Sequence, residues 1–169
     1  MLNFCLLQRF FLEIFLQTCL QYEGEMKEHV NELLRHIGEG LNLPDLCLDD
    51  NNHCILLFDE KIVLNMDFDE EGEKLVIYAY IGEIPLECRE VIFEKALEGN
   101  FFWNETDGGT LGIDKQSQSL VLAKSFSLPL NDFNVFEDQL ASFVEIVEKW
   151  ISRIEDYLKR AEERAENGL

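Results

Sequence analysis

Asp67, Asp69, Glu71 and Gly72 stand in a D-x-D-x-x-G spacing, the opening of a loop that surrounds Ca²⁺ with carboxylate oxygens. Such a loop needs a bidentate Glu at its twelfth position, where this chain has Tyr78, and both flanks alternate as strands do. The pattern therefore predicts an acidic hairpin turn. His29, His36 and His53 are scattered, with neither the H-x-x-x-H nor the Cys/His spacing that zinc requires, and read as surface or filler residues. The run Gly108-Gly109-Thr110-Leu111-Gly112 approximates a phosphate cradle, but no Lys follows, and it leads into a strand pattern where such loops lead into a helix N-terminus. There is no G-x-S-x-G elbow, and the cysteines have no C-x-x-C spacing and no evident electropositive neighbours. The sequence offers no catalytic residue, metal ligand set or cofactor motif, and points away from an enzyme.

Composition narrows the class of partner. Against 34 Asp and Glu stand 14 Lys and Arg, a formal charge of -20 over 169 residues. Phosphate backbones and anionic lipid surfaces repel such a molecule, so neither nucleic acid nor membrane is expected as a partner. Basic or amphipathic polypeptide fits better, and an acidic inhibitor or nucleic-acid mimic that blocks a basic protein site remains the alternative reading. The 47% of hydrophobic residues, with 13 Phe, suffices for one domain with a real core. Five cysteines cannot all pair within one monomer, which suits a reducing cytosol.

The elements that would position these residues follow from hydrophobic period. Residues 1–25 are apolar, yet Arg9, Glu13 and three Gln interrupt them and no basic stretch or cleavage site frames them. They are expected to be an N-terminal extension from a misassigned start, with Met26 opening a domain over 26–160 and a charged tail over 161–169. Val30, Leu33, Leu34, Ile37 and Leu41 recur every three or four residues and predict a first helix. Short strands are expected over 46–68, broken at 49–52 and 59–60. Ile62, Leu64, Met66 and Phe68 alternate with polar positions, and a central strand follows over 75–81. Pro85 suits the first turn of a second helix and Gly99 the position just past its end. Thr110 to Ile113 and Leu120 to Lys124 predict a hairpin. Asn134 and Glu137 suggest a capping box for a last helix whose stripe runs from Phe136 to Leu158, with the residues beyond expected to fray. The order is α-β-β-β-α-β-β-α, an α+β fold with an antiparallel twisted sheet packed with helices.

Phe93, Leu97, Phe101, Phe102 and Trp103 bring more bulk than one small helix needs to bury. Two destinations are open to them: the monomer core or a partner.

From Met26 onward the chain resembles the class I type III secretion chaperones of the Tir-chaperone type. The likeness rests on the first helix with Leu33, Leu34 and Leu41, and on the run from Leu75 to Pro85. It continues through Ala96-Leu97-Glu98-Gly99-Asn100, Gly109-Thr110-Leu111-Gly112-Ile113-Asp114 with Leu120-Val121-Leu122, and the last helix with Phe136, Leu140, Phe143 and Trp150. It covers about 130 residues in short, degenerate pieces and does not include the segment before Met26. The resemblance implies a cytoplasmic bacterial homodimer without enzymatic activity, paired through the second helix and adjoining strand, with Val91, Leu97, Phe101, Phe102 and Trp103 as the interface. It implies that the cargo is the non-globular N-terminal segment of secreted effectors, kept soluble and delivered to the export apparatus, where a secretion ATPase releases it. Strand addition at a sheet edge and a helix laid in a groove are the two available modes. The cargo grooves are expected at Leu33, Ile37, Leu46, Leu48, Ile55, Leu57, Ile62 and Leu64.

Overall fold

The computed structural model describes residues 24–166. A first helix, α1, spans 24–41. The strands β1 (His53–Phe58), β2 (Ile62–Asp69) and β3 (Lys74–Glu83) follow as an antiparallel meander. A 3-10 turn, Leu86–Cys88, leads into α2 (Arg89–Asn100), and a second one, Phe101–Trp103, leaves it. Strands β4 (Thr110–Asp114) and β5 (Ser119–Ser127) make a hairpin, and α3 (Phe133–Glu166) ends the described chain. The sheet runs β1-β2-β3-β5-β4 with every neighbour antiparallel, and β3 at its centre as its two-sided apolar pattern predicts. The element order expected from the sequence is the one observed.

The helices cover one face of this sheet. Toward them point Cys54 and Leu56 of β1, Ile62, Leu64, Met66 and Phe68 of β2, Leu75, Ile77, Ala79 and Ile81 of β3, and Leu120, Leu122 and Phe126 of β5, all buried. Helix α1 supplies Met26, Val30, Leu33, Leu34 and Ile37; α3 supplies Phe136, Leu140, Phe143, Val147, Trp150 and Ile154. The long stripe on α3 is thus spent on the sheet, with Phe136 edge-on to Phe126 at 5.1 Å between ring centres.

Five local expectations are corrected. Residues 46–48 form no strand, and Leu48 is held by its N–H donating to Asn31 Oδ1 of α1 at 2.9 Å. Gly99 does not terminate α2 but lies within it, because its bare Cα lets Trp150 pack against the helix; a Cβ there would meet Trp150 Cζ2 at 2.8 Å. Pro85 precedes a 3-10 turn and not the α-helix itself. The cap of α3 is Asp132, whose Oδ1 accepts from Val135 N–H at 3.2 Å, in place of Asn134 with Glu137. The helix also continues through Glu166 instead of fraying after Leu158, since Ile154, Tyr157 and Leu158 still find apolar partners. The extension over 1–23 and the last residues, 167–169, lie outside the described residues.

Two histidines tie α1 to the connector after β5 and to the start of α3. The Nε2 of His29 accepts from Leu130 N–H at 3.1 Å, and the His36 ring lies 4.7 Å from that of Phe133. Sequence alone made fillers of them; their partners are about a hundred residues away.

Candidate functional site

The second face of the sheet has no helix over it among the described residues. Because side chains alternate along a strand, the residues between the core positions must point there. On β1 these are His53, Ile55 and Leu57, and β1 carries apolar residues on both faces. Register aligns Leu57 with Val63, and by the same pairing Val63 lies beside Tyr80, which pairs with Val121 and then Gly112. Ile55 is 56% exposed and Leu57 60%, with Val63 and Tyr80 exposed beside them. This is an apolar row open to solvent, ending on an edge strand.

Polar groups frame the row. His53 Nδ1 and the Asp67 carboxylate meet across β1 and β2 in a very short contact. Burial and the Asp67 charge together push the Tyr78 hydroxyl above its usual range. Asp49 Oδ1 accepts from the N–H groups of His53 and Asn51, at 2.9 and 2.8 Å, which holds its carboxyl below the usual carboxylate range.

A second concavity lies between the end of α1 and α3. Ile37, Leu41, Phe58, Leu140 and Val144 line an apolar groove of about 360 Å³ flanked by Glu137 and Glu145.

Leu33, Ile37, Leu48, Ile62 and Leu64, expected on cargo grooves, are instead core residues: Ile62 and Leu64 on the covered face of the sheet, Leu33 and Ile37 on the buried side of α1, and Leu48 in the connector from α1 to β1. Only Ile37 also reaches a groove wall. Leu46 is half-buried, and Ile55 and Leu57 lie together on the open face. Val63 and Tyr80 on that face, and Leu41, Phe58, Leu140 and Val144 at the groove, were missed. A pattern of alternation identifies an apolar face without saying whether anything covers it; the signal available was that β1, HCILLF, is apolar on both of its faces.

The residues expected at a dimer interface lie on α2 and the 3-10 turn that leaves it. Val91, Leu97, Phe101, Phe102 and Trp103 are all exposed, Phe102 at 79%, and Leu86 and Ile113 join them. Phe102 and Trp103 adopt left-handed φ of 52° and 54°, which costs a side-chain-bearing residue about 1–2 kcal/mol. The fold tolerates that strain while presenting both rings to solvent.

No group of His, Cys, Asp and Glu among the described residues has the geometry to hold a metal ion. Nor is any described helix long and apolar enough to cross a membrane. Burial, aided by the charges of Cys47 and Asp49, pushes the Cys54 thiol up to about 11, far from a nucleophile's range.

A profile of the Tir chaperone protein (CesT) family matches residues 32–151. The chain belongs to this family. It is therefore a non-enzymatic chaperone-fold protein of type III secretion, as the quoted motifs implied. Among curated proteins it is 27% identical over 126 residues to the transcriptional anti-antiactivator ExsC of Pseudomonas aeruginosa, covering 75% of this chain and 86% of ExsC. Among solved structures it is similar to a chain of the ExsC-ExsE complex, with a TM-score of 0.66, 26% identity, and coverage of 75% of this chain and 93% of the other. The HopA1-SchA chaperone-effector complex shares the fold at a TM-score of 0.61 and 19% identity, covering 73% and 94% of the two chains.

Proposed function

We propose that this protein is a cytoplasmic type III secretion chaperone that works as a homodimer. It binds the non-globular N-terminal segment of effector proteins, keeps it soluble and hands it to the export apparatus and its ATPase. The observation that carries this reading is the uncovered row of Leu57, Val63 and Tyr80, with Ile55 beside it, on a sheet whose other face is fully packed. Exposed apolar surface of this kind on a chain of charge -20 has a cost in solubility that a bound apolar segment removes. The α1–α3 groove supplies a second seat, suited to a helical part of the same cargo. Val91, Leu97, Phe101, Phe102 and Trp103 are assigned to pairing of two copies.

Leu57→Glu tests the reading. Its side chain is exposed, so the variant should fold and dimerise as the wild type does, while effectors no longer copurify from the native cell. Retained copurification with Leu57→Glu would remove the open face from the site.

A second reading has specific support in the likeness to ExsC, whose name describes regulation of transcription. On it, the chain is an acidic inhibitor or nucleic-acid mimic that blocks a basic site on a regulatory protein, and acidity does the recognition. Salt separates the two: affinity for a basic partner should collapse as ionic strength rises, and binding through buried apolar area should persist.

A further inference from the structure

The turn that leaves α2 holds Phe102 and Trp103 at left-handed φ while both rings stay exposed. Such a conformation persists only where its surroundings fix it. Here the loop that follows, 104–109, is fixed from three sides. Toward α2, Glu105 N–H donates to Gly99 O at 3.2 Å, and the N–H groups of Thr106 and Asp107 both donate to Trp103 O at 3.2 Å. Toward α3, Trp150 Nε1 donates to Glu105 O at 3.1 Å, and the Arg153 guanidinium stacks on the Trp150 ring while pairing with the Glu105 carboxylate. The Asp107 carboxylate accepts from Ser142 Oγ of α3 at 3.0 Å and from Lys124 Nζ of β5 at 3.4 Å.

Lys124 makes this more than a surface tie. Its side chain is only 11% exposed, it shares a face of β5 with Leu122 and Phe126, and its ammonium lies 5.7 Å from the Phe126 ring centre. A cation at that depth is costly without its counter-ion, so the loop is held where Asp107 reaches it. Thr106, between the two carboxylate residues, is wholly buried. On the Trp103 side a crevice of about 530 Å³ is lined by Trp103 together with Ile146 and Lys149 of α3, so there the loop is held by its polar ties and not by close packing.

Resting on the homodimer reading above, we propose that Glu105 and Asp107 are positioning residues for pairing, acting on the second copy through Phe102 and Trp103. Arg153 draws one carboxylate to α3 and Lys124 draws the other to β5. The backbone between them grips the Trp103 carbonyl, and both rings stand in place before a second copy arrives. A turn set in advance lowers the ordering cost of association. The same two cations cancel two negative charges beside the aromatics, which favours the approach of two chains of charge -20.

The test is made on the full chain. Glu105→Ala with Asp107→Ala cuts both ties and also removes two negative charges, so if charge alone governed pairing this variant would dimerise more tightly than the wild type. The expected result has the opposite sign: unchanged circular dichroism and a dissociation constant, by sedimentation equilibrium, raised at least about ten-fold. In a background of Phe102→Ala and Trp103→Ala the same two changes should cost less than about two-fold, because the rings they position are gone. Glu105→Gln with Asp107→Asn keeps the acceptors and should recover most of the loss. Arg153→Met spares the Lys124 pair and keeps bulk over Trp150; it is the milder form should the alanine pair unfold, and it too should weaken the dimer only when both rings are present. Dimerisation of the alanine pair as tight as the wild type or tighter, an equal loss without the rings, or no recovery by Gln and Asn would each overturn the inference. The pairing reading survives those results as long as Phe102→Ala with Trp103→Ala weakens the wild-type dimer. A monomeric wild type, or a dimer indifferent to the loss of both rings, sinks that reading and the inference with it.

Discussion

A methyl group added at Gly99 would lie 2.8 Å from Trp150 Cζ2 and 3.5 Å from Glu105 Cβ, in a place where nothing yields easily. The Trp150 ring is buried, its Nε1 donates to Glu105 O at 3.1 Å, and the Arg153 guanidinium stacks 4.5 Å above it while pairing with the Glu105 carboxylate. Gly99→Ala gains up to about 1 kcal/mol of helix propensity but forces a well-packed tryptophan to move, which costs about 1–3 kcal/mol. The net outcome expected is a lower urea midpoint at unchanged slope, and Gly99→Ala that stabilises would mean the ring relaxes freely. Sequence showed Gly99 followed by aromatics and so suggested a helix end. What it could not show is a partner on α3, some fifty residues later, that needs the space.

Strand β1 owes its start to a carboxylate. Asp49 accepts from the His53 and Asn51 N–H groups, and the His53 bond is the main reason its carboxyl is held low. A carboxyl lowered by folding contributes stability that is fully present above its unfolded range, near pH 4, and is lost as pH falls through its folded value. The free energy of unfolding, measured from about pH 6 down to pH 3, should therefore fall more steeply for the wild type than for Asp49→Asn, which keeps an acceptor and no longer titrates. Parallel curves would remove Asp49 as a determinant of the edge. At this scale the sequence was informative in a graded way. Period two in β2, period three to four in α1 and the stripe of α3 are local properties of the chain, and they specified element type and order. Which face of β2 the helices cover is not local: Ile62 and Leu64 alternate with Val63 in either case, and only the return of α1 and α3 onto one side makes the first pair core and leaves Val63 outside. The exposure of Ile55 and Leu57 could be anticipated from β1 being apolar on both faces, but nothing local set them apart from the other six positions expected to hold cargo.

For the whole molecule, the proposed dimerisation has to overcome charge. Two copies of a chain with charge -20 repel one another, and the compensation has to come from apolar contact between faces that are exposed in the monomer. In the proposed pairing the exposed Leu97, Phe101, Phe102 and Trp103 would supply it, with the rings of Phe101 and Phe102 already packed edge-to-face at 4.6 Å. Dimer affinity should therefore rise as salt goes from about 0.05 M to about 0.5 M, the opposite of what a complex with a basic protein does over the same range. Phe102→Asp should leave circular dichroism and the monomer fold intact, since Phe102 touches little of its own chain, while placing an unpaired carboxylate in the interface at a cost of about 3 kcal/mol or more. That corresponds to a dissociation constant raised by more than about a hundred-fold, readable by sedimentation equilibrium. Wild-type dimerisation by Phe102→Asp would place the two-fold interface elsewhere and leave two strained, exposed aromatic residues without a structural purpose, whereas a monomeric Phe102→Asp that still binds effector peptide would separate pairing from capture.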